Sequence, residues 1–316
     1  SISNAYATGP VSGSDYVGGL VGDQRGSISN AYATGQVSGS DYVGGLVGTQ
    51  QTDSISNAYA TGLVTGTGHY VGGLVGTQYG SIYNAYATGP VSGTTRVGGL
   101  VGEQAGSIGN AYATGPVSGS DYVGGLVGYK WSGSISSSYW KTETAGQAIQ
   151  GVGGVGRPQT GVTGTTTEEL KQLATFTGWD IADAGGTGTV WRIYEGHTGP
   201  LLRSFLKQAT VAADASGITG KTYDGTAASG NVTYTTPVAT LDGSLRYTTN
   251  SKNAGSYSTA DGSLKFITGL YSDQQGYDIS YAPASATLTI GKAALTVTGM
   301  TANNKTYDGD TVATLS

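Results

Sequence analysis

The chain has 316 residues, of which 56 are glycine and 22 tyrosine; 11% are charged, and the formal net charge is −5. Glycine above its usual share of about 7%, with sparse charge, argues against helical and charged disordered chains and favours turn-rich β structure. The negative charge and the absence of a Lys/Arg cluster argue against nucleic acid as a partner, and no apolar run approaches the roughly 20 residues that cross a bilayer.

The first 139 residues repeat one pattern six times. Five clear copies, which read SIxNAYATG, begin at Ser1, Ser27, Ser54, Ser81 and Ser107. A degenerate copy, SISSSYW, begins at Ser134, and VGGLVG recurs between the copies. A period of 26 or 27 residues without helical periodicity is typical of a solenoid, in which each repeat forms one turn. We therefore predict a β-solenoid over residues 1–139.

Each repeat is long enough for one turn of a parallel β-helix. At about 3.3 Å per extended residue, one copy traces up to about 90 Å, which suits three short strands and three glycine-rich corners. Ile2 and Ala5 are three positions apart, so both can point inward only if the chain bends at Ser3-Asn4. Asparagine tolerates the left-handed φ that such a bend requires.

Stacked turns place equivalent side chains about 4.8 Å apart, in ladders. The inner ladder is expected to contain Ile2, Ile28, Ile55, Ile82, Ile108 and Ile135. The outer ladder is expected to contain Tyr6, Tyr32, Tyr59, Tyr86, Tyr112 and Tyr139, although the reverse assignment, with tyrosine inside, stays open. Outer tyrosines would either form a rigid platform for sugar rings or a protein partner, or only shield the edges of the turns.

The segment before each VGGLVG varies between copies. It reads SDY in three of them, GHY in the third and TTR in the fourth. Variation at one corner is where a solenoid can place specificity, which adds His69 and Arg96 to the ligand-contact candidates.

Three aspartates, Asp15, Asp41 and Asp121, occupy equivalent positions of this corner. The third and fourth copies interrupt the series, so we do not expect a continuous calcium ladder. These aspartates are weak calcium candidates beside the alternative of solvated turns.

The core Gly19-Leu20-Val21-Gly22 and its copies resemble the GLUG repeat, over about residues 1–140. That family occurs in bacterial secreted and surface proteins, including adhesins and some immunoglobulin-cleaving peptidases. The resemblance implies an extracellular or cell-surface location, without specifying one activity.

Residues 140–206 are predicted to be a loop and a capping segment. Thr166 or Thr167 can cap a short helix through TTTEELKQLATF. The densest large apolar side chains of the chain follow, and an open last turn would invite aggregation, so we expect this segment to close the end of the stack. Its WD…W…EG…PLL series resembles the segment that ends GLUG arrays in filamentous-haemagglutinin-like proteins.

The C-terminal region is predicted to contain small all-β modules. KTYDGTAAS at Lys221 returns as KTYDGDTVA at Lys305, which predicts a sandwich- or grasp-like module over 207–292 and the truncated start of a second over 293–316. The Tyr-Asp-Gly motif resembles the YDG or mostly-β-glycine modules of adhesin stalks. Asp-Gly favours a tight turn, so a catalytic aspartate is not expected there.

No residue pattern predicts an enzyme or a cofactor site. The chain has no cysteine, two histidines and no H-E-x-x-H, which argues against a zinc protease. His69 lies at the variable corner and His197 in a glycine-rich segment, so neither is expected to act as a catalytic base.

These patterns predict a non-catalytic fragment of a large secreted bacterial adhesin. The solenoid would attach to an unidentified glycan or protein of a host or bacterial surface, in cell adhesion or biofilm formation, and the modules would form a stalk. The resemblance to filamentous-haemagglutinin-like proteins implies two-partner secretion through an outer-membrane export partner. Two alternatives stay open: a non-catalytic region of a large secreted peptidase, and a structural spacer or fibre element.

Overall fold

The computed structural model describes residues 1–143, 150–154, 160–238, 241–301 and 304–309. It is all-β, with a parallel β-solenoid of about six turns over the repeats, as the sequence predicts. The chain divides into two compact units, one formed by 1–210 and 271–280 and the other by 211–270 and 281–316. Among the described residues, no helix combines the length and the apolar character needed to cross a membrane.

The tyrosine sheet is the first of three parallel sheets in the solenoid. Its strands are Ile2–Ser3, Tyr6–Ala7, Ile28–Ala33, Ser54–Ala60, Ser81–Ala87, Ser107–Ala113, Ile135–Ser136, Ser138–Lys141 and Val162–Thr165. Isoleucine pairs with isoleucine from Ile2 to Ile135, and tyrosine with tyrosine from Tyr6 to Tyr139. Both predicted ladders are therefore present in the predicted register.

The other two sheets complete each turn. The valine sheet contains Val11–Ser12, Val37–Gly39, Val64–Gly66, Val91–Ser92 and Val117–Ser118. The glycine sheet contains Val17–Gly18, Val21–Gln24, Val43–Gly44, Val47–Gln50, His69–Gly72, Val75–Gln78, Thr95–Gly98, Val101–Gln104, Asp121–Lys130 and Gln150–Val152.

Two apolar stacks fill the coil. In the third turn, the larger stack contains Ile55, Ala58, Ala60, Leu74 and Val75, none of them more than 1% exposed. The smaller stack consists of the valines of the valine sheet and the first valine of each VGGLVG. Its buried members are Val17, Val37, Val43, Val64, Val71, Val91, Val97 and Val117. The ladder tyrosines belong to neither stack, which excludes the alternative with tyrosine inside.

Two backbone features explain why the turns close as they do. Asn4 and its four equivalents have φ between 48° and 52°, which confirms the predicted bend and lets isoleucine and alanine face the same interior. The VGGLVG glycines allow close approach, because a Cβ on Gly45 would lie 2.1 Å from the Gly73 carbonyl oxygen and 2.8 Å from the Ala60 Cβ.

The last turns are closed by a larger side chain. Trp140 pairs with Ala113 and occupies the inner position that alanine holds in earlier turns. It is 9% exposed and packs on Gly125, with Val152 and Val162 from a partial further layer against the same stack. Of the predicted capping segment, only its first part therefore lies at the end of the coil.

Residues 166–206, here called the side cover, lie along the tyrosine sheet instead of across the end. Their apolar side chains form one buried cluster with the ladder tyrosines: Leu170, Phe176, Trp179, Trp191, Ile193 and Leu202. The prediction that this segment closes the end of the stack is therefore wrong for residues 166–206, whose apolar side chains pack on the ladder tyrosines instead.

The side cover contains short elements only. Its strands are Ile181–Ala182, Trp191–Arg192 and Leu201–Leu202, and its 3-10 turns are Glu169–Lys171, Leu173–Thr175 and Arg203–Phe205. The predicted cap at Thr166 is present, since its Oγ1 accepts a hydrogen bond from the Glu169 N–H at 3.2 Å. The helix beyond it is two 3-10 turns separated by Gln172, which has extended dihedral angles.

The segment 271–280 also packs in the first unit, although the sequence analysis placed it in the C-terminal module. Asp278 is fully buried there, with Arg203 Nη1 at 2.5 Å and Arg192 Nε at 3.4 Å from its Oδ1. The Gly186 N–H and Gln208 Nε2 donate to Oδ2, both at 3.0 Å. One carboxylate thus joins this segment to the side cover.

The second unit is built of short strands. The strands of which at least half lies in this unit are Lys207–Asp214, Lys221–Thr222, Ser229–Asn231, Thr233–Thr235, Asp242–Thr249, Gly255–Ser258, Leu264–Tyr271 and Thr287–Gly291, with a 3-10 turn at Ala215–Gly217. The strand Tyr277–Tyr281 belongs to the first unit except for its last residue. The predicted tight turn is present at Asp224, whose Oδ1 accepts from the Thr226 N–H at 2.9 Å, before Gly225 at φ 84°. Of the predicted second module, residues 293–301 and 304–309 are described and contain no strand, and the other residues lie outside the described part of the chain.

Candidate ligand-contact surface

The predicted tyrosine platform is mostly buried. Tyr59, Tyr86, Tyr112 and Tyr139 are 1–7% exposed beneath the side cover, whereas Tyr6 is 65% exposed and Tyr32 half-buried. As an open ligand surface, the prediction is therefore wrong for these four tyrosines. For Tyr6 and Tyr32 it stays a prediction.

The hydroxyls of the covered tyrosines are used within the first unit. Tyr112 donates to the Pro200 carbonyl oxygen and Tyr139 to that of Thr175, both at 2.7 Å. Burial raises the pKa of each of these phenols. They therefore stay protonated at neutral pH and serve to hold the side cover.

Ladder rings do not present their faces to solvent. Neighbouring rings of the Tyr6 ladder have centroids 4.9–5.2 Å apart and planes within 8° of parallel. Each face is covered by the next ring, since a group inserted between two rings would need about 3.5–4 Å on either side. A ladder thus offers ring edges and hydroxyls, and a ring face only at its ends.

A second ladder lies at the variable corner and is partly exposed. Tyr16, Tyr42 and Tyr70 stack with centroids 4.6 and 4.7 Å apart, and Arg96 and Tyr122 continue the column in the next two turns. We call these five residues the exposed ladder. Tyr16 is 48% and Tyr122 is 39% exposed, whereas Tyr42, Tyr70 and Arg96 are half-buried. The sequence-predicted candidate Arg96 therefore lies in a surface column of aromatic residues.

Arg96 continues the stack as a planar cation. Its Cζ lies 4.8 Å from the Tyr70 ring centroid and 4.9 Å from that of Tyr129, and its Nη1 donates to the Tyr70 hydroxyl at 2.7 Å. The same nitrogen lies 2.6 Å from Glu103 Oε2. Glu103 stands where the two preceding turns have threonine, so tyrosine and threonine are replaced together by an ion pair.

Every member of the exposed ladder has a left-handed backbone, with φ between 52° and 62°. This conformation costs about 1–2 kcal/mol for residues other than glycine, and asparagine and aspartate adopt it most readily. Four tyrosines and an arginine occupy a position that favours glycine or asparagine on backbone grounds. Their side chains must therefore contribute something that glycine would not.

His69 and Asp41 meet at the variable corner through the backbone, and the weak calcium candidates stay a prediction. The Asp41 side chain accepts a hydrogen bond from the His69 backbone N–H, so this aspartate stabilises the corner itself. Across the part of the chain that the structure describes, no group of three or more His, Asp or Glu side chains could hold a metal ion.

Glu103, the ion-pair partner of Arg96, makes the stability of the fold depend on pH. Burial raises the pKa of its carboxyl, although Arg96 acts in the opposite direction. In the window above its ordinary value, the folded state therefore binds more protons than the unfolded state, and this residue's contribution to stability falls as pH rises.

We expect Glu103→Gln to remove the loss of stability that this carboxyl causes as pH rises. Relative to wild type, the variant should gain thermal stability as pH rises from about 4 to about 8, measured by calorimetry at fixed salt. Asp23→Asn, in the same column and exposed, is the matched control. A wild-type-to-variant difference that does not change with pH would contradict the assignment.

Comparisons with known proteins agree with the repeat pattern. Residues 13–38, 39–65 and 67–92 match the GLUG motif, so the N-terminal region contains three matched GLUG motifs on a β-solenoid. Neither the search of curated proteins nor that of solved structures gives a match.

Sequence reasoning missed two features of this surface. It assigned the Tyr of SDY and GHY to a variable loop, not to a ladder, although the equal spacing of Tyr16 and Tyr42 was a visible signal. It also passed over Tyr79 and Trp131, which are 50% and 64% exposed. Their equivalents are not aromatic in other copies, so no repeat pattern marks them.

Proposed function

We propose that this chain is an attachment region of a larger secreted bacterial surface protein. The solenoid is a non-catalytic repeat region, and the exposed ladder with its aromatic neighbours would contact a glycan or protein of another surface. Export through an outer-membrane partner and a stalk role for the C-terminal module belong to the same proposal. Many equivalent weak contacts along one column would supply the avidity.

One observation carries this proposal: bulky side chains are held at left-handed φ on an exposed surface. Tyrosine supplies a large contact area at a low cost in conformational entropy, which suits recognition. Arg96 is already held in place by Tyr70 and Glu103. The four buried tyrosines of the Tyr6 ladder, by contrast, have a sufficient structural role beneath the side cover. The exposed ladder has no such cover in the described residues.

The test is the double variant Tyr16→Asn/Tyr122→Asn. Loss of ring contacts worth about 0.5–1.5 kcal/mol each is offset by relief of the left-handed strain, so stability should change by less than about 1 kcal/mol. Binding of chain-coated beads to epithelial cells should fall by about tenfold.

Tyr83→Asn is the matched control, since Tyr83 is 43% exposed on the tyrosine sheet. It should bind like wild type. Unchanged attachment of the double variant, with thermal unfolding intact, would contradict the proposal and favour the spacer or fibre alternative. An H-E-x-x-H helix elsewhere in the parent chain would favour the secreted peptidase.

A further inference from the structure

A cavity of about 240 Å³ lies in the first unit, where the tyrosine sheet meets the side cover. On the sheet side it is lined by Thr88 and Thr114, the threonines that end NAYAT in the fourth and fifth turns. Lys141 takes this position in the sixth turn and also lines the cavity, since the residue before it, Trp140, pairs with Ala113. A column of threonines therefore ends in a lysine at this cavity.

Side-cover residues complete the lining. Leu170 and Lys171, from the 3-10 turn Glu169–Lys171, line the cavity together with Gly199. Leu170 is 5% exposed, and so is Tyr112, which lines the cavity from the sheet. The lining thus combines two buried apolar side chains with one lysine from the sheet and one from the side cover.

The charge of this lining is positive. Among the described residues, two lysines and no aspartate or glutamate line the cavity. Lys171 pairs with Glu168 at 3.1 Å, but that carboxylate is 77% exposed, so the pair is weak and readily exchanged. Lys141 makes no ion pair in the described part of the chain; it lowers the pKa of the Glu143 carboxyl less than the hydrogen bonds from Thr167 do. A small anionic group would therefore have two ammonium donors there.

The geometry points to a binding site for one carboxylated pyranose of an acidic glycan in this cavity. Lys141 and Lys171 would donate to the carboxylate in charge-assisted hydrogen bonds. The hydroxyls of Thr88 and Thr114, which make no hydrogen bond with the described residues, would bind ring hydroxyls. Leu170 would pack on a C–H face of the ring. Pockets for drug-sized ligands have about 300–1,000 Å³, so this smaller cavity suits a single ring.

Two other ligand classes match the lining less well. Inorganic phosphate would use the two lysines and leave the apolar side chains without a contact. A neutral sugar would bring two ammonium groups into a partly desolvated site without a counter-charge. The site goes beyond the proposed function, which assigns attachment to the exposed ladder, and it does not depend on that ladder.

The experiment is a titration of the full chain with sialyllactose and with trigalacturonic acid, followed by ligand-observed NMR. These saccharides represent two sources of a ring carboxylate, and the one that binds identifies the source. Neutral lactose and inorganic phosphate are the reference ligands. At least one acidic saccharide should bind about tenfold or more tightly than either reference, because charged hydrogen bonds to the carboxylate add to the ring contacts.

Lysine variants test the charge of the site. Lys141→Gln and Lys171→Gln should each weaken binding of the acidic saccharide by about tenfold, with an unchanged thermal midpoint. Lys141→Arg keeps the charge and should retain most of the binding. Lys207→Gln is the matched control, since Lys207 is an exposed lysine of the same unit outside the cavity, and it should bind like wild type.

Gly199→Leu tests the space without removing a charge. Apart from its chain neighbours, a Cβ at Gly199 would have only the Leu170 carbonyl oxygen within 4 Å, at 3.7 Å, so the larger side chain should be tolerated and should fill the cavity. Binding should fall as far as in Lys141→Gln. Gly188→Leu is the matched control, because a Cβ at Gly188 also meets open space in the side cover.

Three results would overturn this site: no acidic saccharide bound by wild type, lactose or phosphate bound as tightly as the acidic saccharides, or full binding by Gly199→Leu. The proposed function is tested separately. If cell attachment depends on Tyr16 and Tyr122 while the cavity binds nothing, the exposed ladder stands alone. If the cavity binds an acidic saccharide and attachment does not depend on the ladder, the cavity stands and the ladder fails.

Discussion

Replacing Trp191 by alanine is expected to destabilise the first unit by about 3–5 kcal/mol. Trp191 is 0% exposed and packs against Tyr86, Tyr112 and Trp179, with centroids 4.8–6.3 Å apart. Its removal leaves a cavity between the side cover and the tyrosine sheet. The loss should appear as a lower thermal midpoint in calorimetry and as binding of a hydrophobic dye to the uncovered tyrosines.

Trp131→Ala is the matched control for this substitution. It removes the same side chain from a 64% exposed position and should change stability by about 0.5 kcal/mol or less. Equal stability of the two variants would show that the side cover adds little to the fold.

The solenoid was predictable because its signals are local and repeated. A one-turn period aligns Ile28 with Ile55 whatever the coil's exact path, and the Ile-to-Ala spacing requires a bend that asparagine supplies. Each copy confirms the others, so errors in single positions do not matter. The same reasoning placed the glycines at the corners, and that is wrong for Gly18, Gly22 and their copies, which lie in strands of the glycine sheet. The close backbone approach that these glycines permit is present.

The side cover was not predictable in this way, because its contacts are long-range and occur once. Nothing in the periodicity shows that Tyr139 donates to the carbonyl oxygen of Thr175 or that Gln275 donates to the hydroxyl of Tyr59, at 2.7 and 2.6 Å. Large apolar side chains after a repeat array fit both an end cap and a lateral cover. The choice depends on long-range packing against the ladder tyrosines, a surface that exists only after the turns have stacked.

An internal glutamine column was also beyond the sequence reasoning. Gln24, Gln50, Gln78 and Gln104 are at most 3% exposed, and glutamine at a regular spacing looks like a surface residue. The Gln50 Nε2 donates to the Asp53 and Ser81 carbonyl oxygens, both at 3.1 Å. Such bonds join the corner of one turn to the next, a need that arises only inside a closed coil.

Replacing Asp278 by alanine is the second substitution that we expect to destabilise the first unit strongly. Its carboxylate is fully buried and neutralises Arg192 and Arg203, which are 3% and 8% exposed. Asp278→Ala would leave two buried guanidinium groups without their counter-ion and should cost about 3–5 kcal/mol. The thermal midpoint of the first unit should fall accordingly.

Asp273→Ala is the matched control, because Asp273 is an exposed carboxylate on the same segment. Its effect should be about 0.5 kcal/mol or less. Loss of Asp278 should also raise hydrogen exchange at the Leu202 N–H, which donates to Gln274 Oε1 at 2.8 Å, since the segment and the side cover separate together. Equal midpoints and equal exchange for the two variants would contradict a role for this ion cluster in joining the segment to the first unit.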